Sequence, residues 1–237
     1  EQYAQPGFPF RPFTREVECG WICFRRWPGG EPVWVPEEFG YLFRPPGREH
    51  RIGPSISTGL SSGRGSDPVL LRAVQEVVER DAVTLGWWGV YALEERPAEP
   101  VWASIPELAE RVRRPNLRWG FHRVATPFSA HAVMVSLEGE DREGACFSIG
   151  SACRETRAAA WGKAVIEAVH GRHYARYQKR RIEEGKAPPP RPPADFGAHA
   201  VYYRVHQEEL PATPIRRAPP CERDGGELLW RDERCRV

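Results

Sequence analysis

Three glutamates carry the chemistry that the 237 residues of this chain suggest first. Glu76 and Glu79 stand three apart in "AVQEVVERDA", and Glu167 stands alone in "AVIEAVHGR". At about 100° per residue, Leu71, Val74, Val78 and Leu85 share one face of the first segment, read as a helix, and form its expected core stripe. Arg72, Glu76, Glu79 and Arg80 then lie on the opposite side. Glu76 and Arg80 are spaced i, i+4 with the acid first, the orientation of a surface pair contributing roughly 0.2–0.5 kcal/mol. On this reading the charges only decorate a solvated face. Asp81 fits it poorly, because it falls beside the apolar stripe and needs a buried partner.

The second segment, "RETRAAAWGKAVIEAVHGRHYAR", is harder to read as mere solvation. The face holding Glu167 also carries Ala160, Lys163, Ala164, His170, Gly171 and Tyr174. Small residues around a carboxylate let another body come close, either a ligand or a packed element. Glu167 and His170 form a single Glu-x-x-His, whereas a di-iron bundle site uses two copies. Carboxylates drawn from two helices suit Mg²⁺, a hard ion that takes a few carboxylates and leaves positions for phosphate oxygens. The loop "GLSSGRGS" before the first helix is not a P-loop, since Gly59 is too close to Gly63 and Arg64 replaces the lysine. Its glycines can still offer backbone N–H groups to a phosphate.

The elements that must hold these residues follow from periodicity and turn chemistry. "EVECGWICF" (16–24) and "EPVWVPEEF" (31–39) are expected to pair as a hairpin across "PGG". Asp67 as N-cap and Pro68 as first residue open a helix over about 67–88. "SIPELAERVRR" is a short helix with Ser104 as N-cap. "RWGFHRVA", "AHAVMVSLEG" and "GACFSIGSA" read as three strands, followed by a helix over about 154–183 that Gly185 closes. A proline-rich loop covers 185–197, "AHAVYYRVH" is a strand or the start of a helix, and the tail is irregular. Neighbouring strands interrupted by long helices indicate an α+β fold with mostly antiparallel sheets, in one domain over 1–237.

Composition narrows the function classes. With 41% hydrophobic and 28% charged residues the chain is globular, and a formal charge of +2 offers no basic block for nucleic acid. The one basic cluster, "HYARYQKRR", falls at the end of the long helix, where cations favour the macrodipole. No apolar run reaches the ~18 residues of a membrane span. The six cysteines show no zinc-type spacing and are expected to be free thiols in a reducing cytoplasm.

Taken together, the two acidic helices resemble the signatures of the YcaO family. "STGLSSGRGSDPVLLRAVQEVVERDA" is similar to its Ser-x-Gly-x-x-x-Gly loop and the helix ending Glu-x-x-Glu-Arg-Asp-Ala. "GSACRETRAAAWGKAVIEAVHGR" resembles its second signature, a glycine and then Ala-x-x-x-Ala-x-x-Glu closing on Gln-x-Arg. "AHAVYYRV" is similar to a third, Asp-His-x-x-x-Tyr, and "WVP" stands for a Tyr-Val-Pro strand; the likeness covers roughly residues 6–205. It implies an ATP- and Mg²⁺-dependent enzyme that activates a peptide backbone amide by phosphorylating its oxygen after a nucleophile adds to the carbonyl carbon. A Cys, Ser or Thr nucleophile gives an azoline, sulfide a thioamide and an amine an amidine. Such chemistry needs placement and charge neutralisation more than a protein nucleophile.

By the same resemblance Glu76, Glu79 and Glu167 bind Mg²⁺ and are the catalytic acids. Ser57 and Gly59 belong to the nucleotide loop, and Arg80, His170 and Arg172 face ATP. The implied partners are a precursor peptide and a leader-peptide-binding protein or domain, with a homodimer as a further expectation and no nucleic acid or membrane. His170 replaces the usual Gln and Ala73 a frequent Ser, and Asp195 or Ala198 stands where the Asp-His acid would be. The family domain continues past its Tyr-Tyr segment, so a fragment, a shortened member or part of a split enzyme is expected. A degenerate member that binds a precursor peptide or partner without turnover is the alternative.

Overall fold

The computed structural model describes residues 2–4, 8, 10–42, 52–53, 56–65, 67–188 and 196–220. The chain divides into two compact units, Glu1–Leu60 and Ser61–Val237. In the first, β1 (Trp21–Arg25) and β2 (Pro32–Pro36) form the expected antiparallel hairpin, with Trp21 opposite Pro36 and Arg25 opposite Pro32. Both strands are shorter than their apolar patterns. Pro36 ends β2, and Glu37 and Glu38 open a single helical turn, α1 (Glu37–Gly40), where acids suit the N-terminal end.

The second unit begins with α2 (Val69–Trp87) and strand β3 (Leu93–Arg96), which the sequence pattern did not announce. Two short helices follow, α3 (Ala98–Ser104) and α4 (Pro106–Val112). α4 is the short helix expected in "SIPELAERVRR", but Ser104 is not its N-cap, and α3 precedes it without a sequence expectation. The Ser104 hydroxyl donates to the Val101 carbonyl at 2.6 Å and so closes α3, while Pro106 opens α4. Asp67 does not cap α2 either: its carboxylate accepts from the Arg64 N–H at 2.5 Å.

Strands β4 (Leu117–Val124), β5 (Ala132–Asp141) and β6 (Gly144–Cys153) then complete a four-stranded antiparallel sheet in the order β3-β4-β5-β6. The long helix α5 (Arg157–Glu183) starts at Thr156, whose side chain accepts from the Ala159 N–H at 3.2 Å. "AHAVYYRVH" proves to be helical up to Val205, within α6 (Phe196–Val205), and a 3₁₀ stretch over Gln207–Ala212 leads to α7 (Pro214–Arg217). The proline run at 189–195 and the tail from 221, with Cys221 and Cys235, lie outside the described residues. Among the described residues no helix is long and apolar enough to cross a membrane. The architecture is α+β with antiparallel sheets, as expected.

Alternation along the strands makes two cores. Phe121, Val133, Val135, Leu137 and Ala152 face α5, which buries Ala160, Trp161, Ala164, Val165 and Ala168 against them. Leu93, Val124, Ala132 and Met134 face the other way, towards Ala82 of α2 and Ile215 of α7. α5 lies so close to β6 that a Cβ on Gly150 would fall 1.9 Å from the Ala164 carbonyl oxygen. The small residues around Glu167 therefore admit a strand.

The expected core stripe of α2 is overturned. Leu71 is 41% and Val74 48% exposed, while Gln75, Glu79, Ala82 and Gly86 are buried. Those four positions recur at the spacing of one helical face. The reason is steric: a Cβ at Gly86 would lie 2.9 Å from Leu93 and 3.3 Å from Val124, so only a narrow face lets α2 approach the sheet. Placing Glu79 on a solvated face is corrected by the same fact.

Candidate functional site: acids at the open edge of the sheet

β6 is an edge strand, and the outward N–H and C=O groups of an edge need partners when covered. Here side chains from the helices on the two faces supply them. Glu79, from α2, accepts from the Ser151 hydroxyl at 2.9 Å and the Cys153 N–H at 3.3 Å. Glu167, from α5, accepts from the Ser151 N–H at 3.2 Å. Lys163, one turn before Glu167, donates to the Ser151 carbonyl at 3.3 Å.

That ammonium also joins the two acids. Lys163 Nζ lies 3.3 and 3.2 Å from the two Glu79 oxygens and 2.5 Å from Glu167 Oε1. The Glu79 side chain is only 2% exposed, Lys163 27% and Glu167 37%, so the cluster opens to solvent on the Glu167 side. A carboxylate as buried as Glu79 is tolerable only when paired and hydrogen-bonded. Arg154 adds a longer contact to Glu79, 3.9 Å. Burial raises the Cys153 thiol above its ordinary range, which keeps it protonated beside these acids.

The other expected site residues are placed as follows. Glu76 is three residues from Glu79 on α2 and pairs with Arg80 at 3.8 Å, the surface pair anticipated from spacing. Asp81 has its partner, the Tyr91 hydroxyl at 3.3 Å. His170 is exposed on α5. Arg172 is five residues beyond Glu167, a step that carries it to a different face of α5. It lines a cavity of about 380 Å³ with Asn116, Arg142 and Arg176. Ser57 and Gly59 belong to the first unit, in a tight turn where the Leu60 N–H donates to the Ser57 carbonyl at 2.9 Å. Gly59 has φ +81, a conformation favouring glycine.

Thus Glu79 and Glu167 are drawn directly together, with Glu76 beside Glu79 and Arg80 attached to Glu76. The participants missed in the sequence are Ser151, Arg154 and the part played by Lys163. A signal for the last was present, since Lys163 precedes Glu167 by four. Among the described residues, the one trio of His, Cys, Asp or Glu ligand atoms within 4.8 Å of one another is half-buried His206 with exposed Glu208 and Glu209. Glu76, Glu79 and Glu167 form no such trio.

The basic stretch late in α5 does more than face the helix end. Arg176 meets the Glu143 carboxylate at 2.7 Å, Arg180 shares that carboxylate, and Lys179 donates to the Glu143 carbonyl at 2.9 Å. The two guanidiniums hold Glu143 down to about 2. A second cavity, of about 390 Å³, has Val101, Val133 and Trp161 in its wall with Arg96, Arg123 and Arg157.

A family model describing YcaO cyclodehydratases, ATP- and Mg²⁺-binding, matches residues 1–227. A search of curated proteins returns no significant match. Among solved structures, the heterocyclase TruD superimposes with a TM-score of 0.53 at 18% identity, over 69% of this chain and 24% of its own. A heterocyclase in complex with substrate and cofactor gives 0.52 at 17%, over 67% and 21%. YcaO from Methanopyrus kandleri bound with AMPPCP and Mg²⁺ superimposes more loosely, at 0.45 with 18% identity, over 87% and 48%. The chain therefore spans only 21–24% of the two heterocyclases, and at this identity the likeness is one of fold.

Proposed function

The chain belongs to the YcaO family, and from that premise we propose that it handles ATP and Mg²⁺ in an enzyme that activates peptide backbone amides by phosphorylation. Azoline-forming cyclodehydration of a precursor peptide is the reading we favour, with thioamide or amidine formation as variants of the same activation. One observation supports it above the rest: carboxylates from α2 and α5 converge on a single cation at the edge of β6. The donors are carboxylate oxygens, the hard ligands that suit Mg²⁺, and the ammonium between them marks a place where positive charge is stabilised.

On this reading Glu79 and Glu167 hold the metal, with Glu76 joining from the next turn of α2. Bound there, Mg²⁺ would neutralise the charge of the transferring phosphoryl group. Ser151 and the Cys153 N–H fix the Glu79 carboxylate, and its burial keeps it from reorganising. Ser57 and Gly59 supply the nucleotide loop, and Arg80, His170 and Arg172 turn towards phosphate, on the strength of the family resemblance. A leader-peptide-binding protein or domain, a homodimer and a cytoplasmic location belong to the same proposal.

The satisfied state of the acids favours a second reading. With Lys163 and Arg154 already on Glu79, the cluster could be a structural ion network in a member that binds a precursor peptide or partner without turnover. Calorimetry with ATP separates the two. The first reading expects binding that EDTA weakens and that Glu167→Gln reduces at least about tenfold, alongside precursor-dependent ATP hydrolysis. Equal heats with and without Mg²⁺ would rule out the metal assignment.

A further inference from the structure

Building on the reading of Glu79 and Glu167 as metal ligands, we propose that Lys163 is a built-in counter-cation. Mg²⁺ must displace it, so the site takes metal efficiently only together with a phosphate-bearing ligand. The geometry carries this. One ammonium lies within 3.3 Å of carboxylate oxygens on both α2 and α5. A divalent ion held by the same carboxylates would compete with the ammonium for their lone pairs and be repelled by it.

Charge counting gives the same result. Glu79 and Glu167 contribute two negative charges, and Lys163 and Arg154 two positive ones, so this group of four is already neutral. Adding a dication alone leaves an excess of positive charge. A polyphosphate arriving with the metal removes the excess and gives Lys163 new oxygens to meet.

Lys163 is equipped for such an exchange. Its side chain is 27% exposed and long, and Glu167 lies on the open side of the cluster. When the phosphate-bearing ligand leaves, the ammonium returns to the acids and satisfies the buried Glu79 again. Metal and phosphate binding are thereby coupled, each raising the affinity for the other by the same factor.

The test is Mn²⁺ titration followed by electron paramagnetic resonance, on the whole 237-residue chain with and without AMPPCP. Wild type should bind Mn²⁺ weakly alone and at least about tenfold more tightly with the nucleotide analogue. Lys163→Gln, which keeps a hydrogen-bond donor without the charge, should bind Mn²⁺ alone at least about tenfold more tightly than wild type and lose most of the coupling. Lys163→Arg, which keeps the charge, should retain the coupling. Equal or weaker binding of Mn²⁺ by Lys163→Gln, with wild type still taking it alongside AMPPCP, overturns the displacement and leaves the metal site standing. No Mn²⁺ binding in any condition overturns both. A measurement that needs no variant is the wild-type melting temperature: Mn²⁺ should raise it only when AMPPCP is present, and an equal rise with Mn²⁺ alone refutes the proposal.

Discussion

α5 carries two charge clusters with opposite stoichiometry. Near its start, Glu79 and Glu167 share the ammonium of Lys163, two acids on one close cation. Further along, Arg176 and Arg180 share Glu143, two cations on one acid. The first involves a carboxylate at 2% exposure and the backbone of an edge strand; the second wraps the β5–β6 turn with its carboxylate at 22%. Ion pairs on a single helix can therefore do different work. A buried cluster whose two acids share one close cation is suited to exchanging it, whereas a carboxylate ringed by guanidiniums ties a turn to a helix and leaves the surroundings positive.

The largest effect that separates them is on stability. Glu79→Ala leaves Lys163 with two of its four oxygen contacts and Ser151 and Cys153 with unmatched donors in a covered place. We expect a loss of about 3–5 kcal/mol by equilibrium denaturation at neutral pH. Glu143→Ala should cost clearly less. Equal losses would erase the distinction between the clusters.

A smaller effect comes from His122, on β4 beneath α7. Burial lowers it from an ordinary 6.5 to about 4, against a raising hydrogen bond to the Ile215 backbone. Because the folded value lies below the unfolded one, the unfolded chain takes the proton first. Stability should fall as pH drops from 6.5 to about 4 and level off below, by about 3 kcal/mol in all. His122→Gln should flatten that limb in denaturation curves collected across the window. If the slope survives, another group carries it.

Asp81→Ala should cost about 1 kcal/mol, the typical value of one hydrogen bond, and Tyr91→Phe a similar amount without additivity between them. Strict additivity in the double variant would show that the 3.3 Å contact contributes nothing. Glu143 supplies the last test. Hydrogen bonds from Arg176 and Arg180 hold it at about 2, so its contribution is complete above 4.5 and disappears as pH falls towards 2. Glu143→Gln should remove only that acid limb from the melting profile. A change near neutrality would place the cluster's role elsewhere.

The sequence alone was enough for the helices carrying the acids, for three of the four strands of the main sheet, and for the need of Asp81 for a partner. These depend on periodicity and on short-range chemistry, which are written in consecutive residues. β3 escaped notice because "LEER" has no alternating apolar pattern, and Ser104 misled because its hydroxyl can close a helix as well as open one. Charge spacing also showed Glu76 and Arg80 as a pair.

What α2 buries could be decided only in three dimensions. Its larger aliphatic residues form a stripe that periodicity assigns to the core, yet the sheet accepts the side with Ala82 and Gly86, because Leu93 and Val124 leave room for nothing wider. That steric choice turns Glu79 inward, to the edge of β6, where Glu167 and Lys163 arrive from the opposite face. Residue types and spacing determined which groups could do chemistry. Which of them meet was decided by how closely two helices can approach one sheet.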